Sequence, residues 1–169
     1  PDRERGYDKD AKAALREVKT QENLLSNPVP FNPKPVMAIS TGADEYLAII
    51  SPDEELCFFT RRSQKRDQFS GPANTLRTVE EFTLATKTGG NYSSGNPLPA
   101  PFNQSFNEGG ATITANNKEL YFTVCTIDEK VYQNCDIYFS LNESGSWTDI
   151  KPLSETINKP DSWESQPSV

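Results

Sequence analysis

DEYLAIISPDEELCFFT, starting at Asp44, lies on NEGGATITANNKELYFT, starting at Asn107, when the chain is shifted by 63 residues. Glu45 falls on Glu108, Ala48 on Ala111, Ile50 on Ile113, Phe59 on Phe122 and Thr60 on Thr123. A shift of 55 then lays EFTLATKTGGNYSSGNPLPAPFN, from Glu81, on DIYFSLNESGSWTDIKPLSETIN, from Asp136, without a gap. Gly90 meets Gly145, Tyr92 meets Trp147, Pro97-Leu98 meets Pro152-Leu153, and Asn103 meets Asn158. A further copy opens at WESQPSV, where Glu164 matches Glu108 and Val169 matches Ile113. The repeating unit is therefore about 56 to 64 residues long, a period that means a repeated architecture rather than one irregular domain.

Each unit reads as about four short strands. The first ends at Ile50 or Ile113, the second near Thr60 or Thr123, the third starts at Glu81 or Asp136, and a short fourth surrounds Tyr92 or Trp147. The runs EYLAII, LCFFT, EFTLAT, ATIT, ELYFTV and DIYFSL are bounded by Pro, Gly, Asn or Asp, which is an all-β pattern. A repeated four-stranded antiparallel sheet is the blade of a β-propeller, whose rings use about four to eight blades. The expected layout is blade 1 over about 44–106, blade 2 over about 107–161 and the start of blade 3 over 162–169, with the missing blades downstream of Val169.

Ahead of the repeats the pattern changes. Around residues 8–25, from Tyr7 on, Tyr7, Ala11, Ala14, Leu15, Val18 and Leu25 recur at helical steps, so residues 1–27 are expected to form the last helix of a helical-repeat region. Asp8 serves as N-cap, and Asn27-Pro28 stops the helix. NPVPFNPKPV, inside a linker spanning 28–40, carries four prolines between Pro28 and Pro35 and reads as stiff extended chain.

Composition bounds the chemistry. The 169 residues carry 24 acidic and 17 basic side chains, a net charge of −7, which speaks against nucleic acid as a partner. No run of 18 apolar residues and no charged-then-apolar leader is present, and a start at Pro1 reads as a mature or trimmed piece of something longer. With no His, neither a Ser-His-Asp triad nor a Cys-His pair can be built, and no serine stands in a GxSxG context. The three cysteines lack the clustering of a closed zinc site, so no catalysis and no cofactor are expected of the chain.

SPDEELCFFTRR, from Ser51 to Arg62, resembles the signature of the WD40-like propeller repeat of bacterial TolB-type proteins, and WESQPSV resembles the strand before it. Glu54 stands where that signature has glycine, and Ala115-Asn116 replaces its Pro-Asp. The helix, the proline linker, EYLAIISPDEE and SGSWTDIKPLSETINKPDSWESQPSV together resemble cell-envelope proteins of Bacteroidetes-type bacteria. In those proteins tetratricopeptide repeats precede the propeller and an outer-membrane-protein-A-like peptidoglycan-binding domain follows, and one of them is a type IX secretion system component. The resemblance implies a non-catalytic periplasmic scaffold, associated with the outer membrane or peptidoglycan, that binds envelope proteins. The alternative is the substrate-filtering propeller of a larger peptidase. Glycan or small-ligand binding in the channel is a third reading, with only the glutamate register behind it.

Four groups are candidate sites. Glu45, Glu108 and Glu164 share one register at the start of the innermost strand; they either line a channel or hold a cation, or accept the hydrogen bonds that fix blade packing. Asp53-Glu54-Glu55 and Asn116-Asn117-Lys118 are expected at hairpin turns, by turn chemistry rather than as a calcium site. Arg61, Arg62, Lys65 and Arg66 make four cations in six residues, either a contact for an acidic partner or phosphate group or a solvated loop with Arg62 pairing across strands. Tyr92, Trp147 and Trp163 form either a ligand-stacking surface or, for the repeat-matched Tyr92 and Trp147, blade-to-blade core.

The last candidate is covalent. Cys125 ends ELYFTVC and Cys135 opens CDIYFSL, so an antiparallel pairing puts them opposite. The two shifts place Arg62 and Glu80 at these positions in the first unit, an opposite-charge pair where the second has two cysteines. A Cys125–Cys135 disulfide is expected, against two unpaired thiols, with Cys57 left as a buried free thiol.

Overall fold

The computed structural model describes residues 2–66, 76–104, 107–127 and 133–169, with the side chains of 2–6, 66, 77, 127 and 133 left out. Among the described residues it has one helix, α1 (Asp2–Ser26), and otherwise strands, so this part of the chain is mostly β. It divides into two compact units, Pro1–Pro35 and Val36–Val169.

The helix is longer than its apolar periodicity, starting at Asp2 rather than near Asp8. Straight-chain and alanine residues carry it, Lys12 pairs with Asp8 at 2.6 Å one turn away, and Asn27 closes the end by donating to the Asn23 carbonyl at 3.0 Å. Leu15, Val18, Leu24 and Leu25 on it are exposed.

In the second unit, β1 (Asp44–Ile50), β2 (Leu56–Arg66) and β3 (Leu76–Thr88) form an antiparallel meander. The two-residue strands β4 (Asn91–Tyr92) and β5 (Asn96–Pro97) fold back on β3. The same series then recurs as β6 (Asn107–Ile113), β7 (Glu119–Ile127), β8 (Gln133–Glu143), β9 (Ser146–Trp147) and β10 (Lys151–Pro152). All ten join one sheet of order β1-β2-β3-β6-β7-β8-β10, with the remaining short strands attached to β3 and β8. The fourth strand expected from the sequence is therefore two pieces in each half. In the first half the break falls at Gly95, where φ is +79° and an added Cβ would lie 2.7 Å from the Phe59 ring.

Among the described residues a single parallel pairing, Glu80 with Asn107, connects the halves through the backbone. Side chains do the rest. Phe58, Phe82, Leu98 and Phe102 from the first half and Ala111, Ile113, Leu120, Phe122 and Val124 from the second form one core. Phe82 stacks on Phe122 at 5.3 Å, and Phe102 tilts against Phe122 at the same separation. Burying a side chain of this size contributes roughly 1.5 to 3 kcal/mol, so the interface outweighs the one backbone rung. A smaller cluster of Ile39, Cys57, Phe59 and Ala85 lies on the other face of the first half. Ile39 falls in the stretch the sequence assigns to the linker, yet it is buried against the sheet.

Candidate functional site

The two halves agree in detail beyond strand order. Arg62 faces Glu80 across β2 and β3, and Cys125 faces Cys135 across β7 and β8. In β1 the ladder slips between Tyr46 and Ile49, and in β6 between Gly109 and Thr112, the positions 63 residues on. The extra residue is Leu47, with φ of 52°, or Gly110, with φ of 58°. Gln166, two residues after Glu164 as Leu47 follows Glu45, also has a positive φ of 53°. A leucine and a glutamine in the left-handed region are uncommon, and they persist because the surroundings hold them there.

Those surroundings start with the three glutamates. Glu45 accepts from the Thr41 amide at 3.3 Å and from its hydroxyl. Glu108 accepts from the amides of Asn103 at 2.6 Å and Gln104 at 2.8 Å. Glu164 accepts from the Lys159 amide at 3.1 Å and from the Ser162 hydroxyl. Each carboxylate thus closes the turn that precedes its own strand. Among the described residues no three of His, Cys, Asp and Glu gather as a metal site. Burial pushes the Glu45 carboxyl up, but the bonds from Thr41 and Arg61 outweigh it and hold the group below its ordinary value.

The turns themselves are plugged by asparagine. Asn103 donates to the carbonyls of Phe82 and Leu98 and accepts from the Phe82 amide. Asn158 makes the same three bonds with Ile137 and Leu153. Between copies, the Thr60 hydroxyl accepts the Gly110 amide at 3.3 Å, and the Thr123 hydroxyl accepts the Gln166 amide at 3.0 Å. The Glu164 amide also donates to the Cys135 carbonyl at 2.8 Å, so residues 164–166 dock on β7 and β8 in the manner of a first strand.

A cavity of about 90 Å³ lies where these first strands meet, lined in part by Tyr46, Glu80, Glu108 and Thr123. Tyr46 is hydrogen-bonded to Glu80, and burial together with that bond pushes its phenol well above the ordinary range. Glu45, Glu108 and Glu164 each accept hydrogen bonds from the turn before them.

The cationic cluster is divided by the structure. Arg61 is turned inward: its Nε donates to Glu45 at 3.0 Å, its Nη2 to the carbonyls of Ile39 and Ser94, and its guanidinium lies 5.0 Å over the Phe59 ring. In the second half this position is Val124, a core residue. Arg62 is exposed and stands between Asp44 and Glu80 in the ladder. Lys65 pairs with Glu81. The Arg66 backbone ends β2, and its side chain lies outside the described residues. Beyond Arg62, β1 no longer accompanies β2, and a groove of about 490 Å³ opens beside residues 62–64.

At the corresponding place in the second half Cys125 and Cys135 are joined by a disulfide, with their Cα atoms 4.0 Å apart. Cys57 is a buried free thiol, and burial raises its pKa. Trp147 packs edge-on against Phe58 at 6.2 Å and Tyr92 covers the smaller core, while Trp163 is 57% exposed. The hairpin turns hold Asp53 and Asn116 as acceptors for the amides two residues on. At Glu54, in the first of these turns, φ is 61°.

Comparison with family models, with curated proteins and with solved structures finds no match for the chain. No helix is long and apolar enough to cross a membrane among the described residues. The parts that sequence reading missed are side-chain-to-backbone devices: the asparagine plugs, the threonine acceptors and the inward Arg61. The paired Asn103 and Asn158 were visible as a match, but no periodicity marks which polar side chain turns back onto the chain.

Proposed function

We propose that the β region consists of blades of a TolB-like propeller and that the protein is a non-catalytic cell-envelope scaffold that binds other proteins. The observation that carries the reading is the recurrence, in register, of strand ladder, bulge, asparagine plug and threonine acceptor, with residues 164–166 opening the series again. A ring needs at least about four blades, so the reading requires copies beyond those described here. The Cys125–Cys135 disulfide supports an oxidising compartment such as the periplasm. A place at the outer membrane or peptidoglycan, and with it a role in type IX secretion, rests on the sequence resemblance. Binding would run through the hairpin ends, which differ between the copies, while the shared residues hold the sheets together.

Cell fractionation with thiol trapping tests this. The protein should be recovered from the envelope fraction with Cys125 and Cys135 protected as a disulfide, and the purified chain should turn over no peptide or ester substrate. Recovery from the cytosol with both thiols reduced, or turnover that survives a contaminant check, would overturn it.

A further inference from the structure

The turn at residues 36–41 is a third occurrence of the turn that closes each copy. The Ile39 amide donates to the Val36 carbonyl as Phe102 does to Pro99 and Ile157 to Ser154, positions again 63 and 55 residues apart. The Thr41 amide donates to Glu45 as that of Gln104 does to Glu108 and that of Lys159 to Glu164. At 99–104 and 154–159 the turn is tied to the third strand of its own copy. There the amides of Leu98 and Leu153 donate to the carbonyls of Phe82 and Ile137, and the asparagine plugs hold the same two residues. The turn at 36–41 has no such strand among the described residues, because the chain ahead of it is helix and proline-rich linker.

Its side chains are matched to that difference. Ser40 stands where the plugs Asn103 and Asn158 stand in the later turns. The turn is pinned from the opposite side instead, by the Arg61 Nη2 donating to the Ile39 carbonyl. Phe102 packs against Phe82 of its own copy at 5.9 Å and against Phe122 of the next at 5.3 Å. Ile39 has only the second of these contacts among the described residues, with Phe59, the counterpart of Phe122. The same face stays open along β1, which pairs with β2 alone. Ala48 and Ile50 are exposed, whereas their counterparts Ala111 and Ile113 are buried in the core shared with the first copy. A repeat that simply terminates an array carries a polar outer face, and this one is apolar.

We infer that β1 and the turn at 36–41 take the hairpin of a further copy of the repeat, one that ends after its third strand and borrows 36–41 as its closing turn. A second molecule of the described chain does not fit. Both of its hairpins carry closing turns of their own, at 99–104 and 154–159, in the place that 36–41 needs. The occupant is therefore the last copy of the same ring. The inference rests on the propeller reading and adds how that ring closes.

The test titrates the chain of 169 residues, labelled with nitrogen-15, with a hairpin of residues 119–143 whose Cys125–Cys135 bond is closed. Amide shifts should centre on residues 36–50. A longer peptide, 119–159, brings its own turn and should not bind. Ser40→Asn restores a plug and should tighten the shorter hairpin about tenfold, with three hydrogen bonds to gain. Ile50→Cys should react with a maleimide in the chain of 169 residues and resist it in the protein that carries the remaining copies. No binding at millimolar hairpin, shifts elsewhere, equal binding of the two peptides, or a reactive Ile50→Cys in the longer protein would overturn the inference. Both peptides are compared on the unaltered chain, so the test stands even if a substitution prevents folding. Failure here with an oxidised, envelope-associated protein would remove the borrowed turn and leave the scaffold; a reduced cytosolic protein that bound only the shorter hairpin would do the reverse.

Discussion

The first copy ends its central hairpin in charge and the second ends it in a covalent bond, although the backbone register is the same. Arg62 and Glu80 occupy the rung that Cys125 and Cys135 occupy. A disulfide ties a hairpin end covalently, while Arg62 and Glu80 face each other across the ladder with no such tie. The shared framework is then the conserved part of the arithmetic between copies, and the hairpin ends are where each is specialised. A similar contrast runs through the faces. Ile113 is buried against the preceding copy, whereas Ile50, its counterpart, is 55% exposed.

The strongest way to break the comparison is to remove the contact that makes the halves one body. Phe122→Ala should cost about 3 to 5 kcal/mol, since Phe122 is fully buried between Phe82 and Phe102. Denaturant unfolding followed at Trp147 and by far-ultraviolet circular dichroism should still give one coincident transition at lower denaturant; separate transitions would mean that the halves fold independently.

Removing the disulfide sharpens the contrast at the hairpin. Cys125→Ser with Cys135→Ser should cost roughly 2 to 3 kcal/mol, given a sequence separation of 10 residues. Reductant should lower the melting temperature of the parent and leave that of the double variant unchanged. An equal response in both would mean that the bond contributes nothing to stability.

The turns provide a smaller test. Glu54 adopts a φ of 61° and Asn117, its counterpart, one of 58°. Asparagine tolerates this region and glutamate does so at a cost, so Glu54→Gly should stabilise by up to about 1 kcal/mol. Its salt bridge from Lys87 is lost in the exchange, but that carboxylate is mostly exposed. Asn117→Gly should instead be neutral or harmful, because the Asn117 amide donates to Asp53 at 2.5 Å. Thermal melts of the two variants read the difference in sign.

Acid and base should separate the copies most weakly. Glu45 has its pKa lowered, burial being outweighed by bonds from Thr41 and Arg61, so its contribution is present above the unfolded value and lost as pH falls through the folded one. Asp136 has its pKa raised by burial and then by Glu164, so its contribution is present below the unfolded value and lost as pH rises through the folded one. Glu45→Gln should therefore destabilise at neutral pH and less so in acid, and Asp136→Asn should stabilise at neutral pH. Urea titrations across the carboxylate range check both slopes.

Strand identity and order were legible in the sequence because alternation and turn residues repeat at two fixed offsets. The rung joining Cys125 and Cys135 followed from one charge pair at the matching place. What stayed hidden has a physical cause. Leu47 carries no sign of a left-handed backbone, since the bulge is imposed by the hydrogen bonds of Glu45 and by the ladder rather than by its own preference. Arg61 reads as one of four surface cations, yet a guanidinium with a carboxylate and two carbonyls within reach can be turned inward. Residues 36–40 read as linker because of the prolines before them. Even so, the Ile39 amide donates to Val36 just as that of Phe102 donates to Pro99 and that of Ile157 to Ser154.

The central claim is that one backbone pattern occurs twice and begins a third time. Nuclear magnetic resonance of the whole chain tests it most directly, through cross-strand contacts and amide-to-α-proton couplings. The account predicts that Arg62 contacts Glu80 as Cys125 contacts Cys135, and that Leu47, Gly110 and Gln166 all have positive φ. A ladder shifted by one residue in either half, or a negative φ at Leu47 or Gln166, would contradict it.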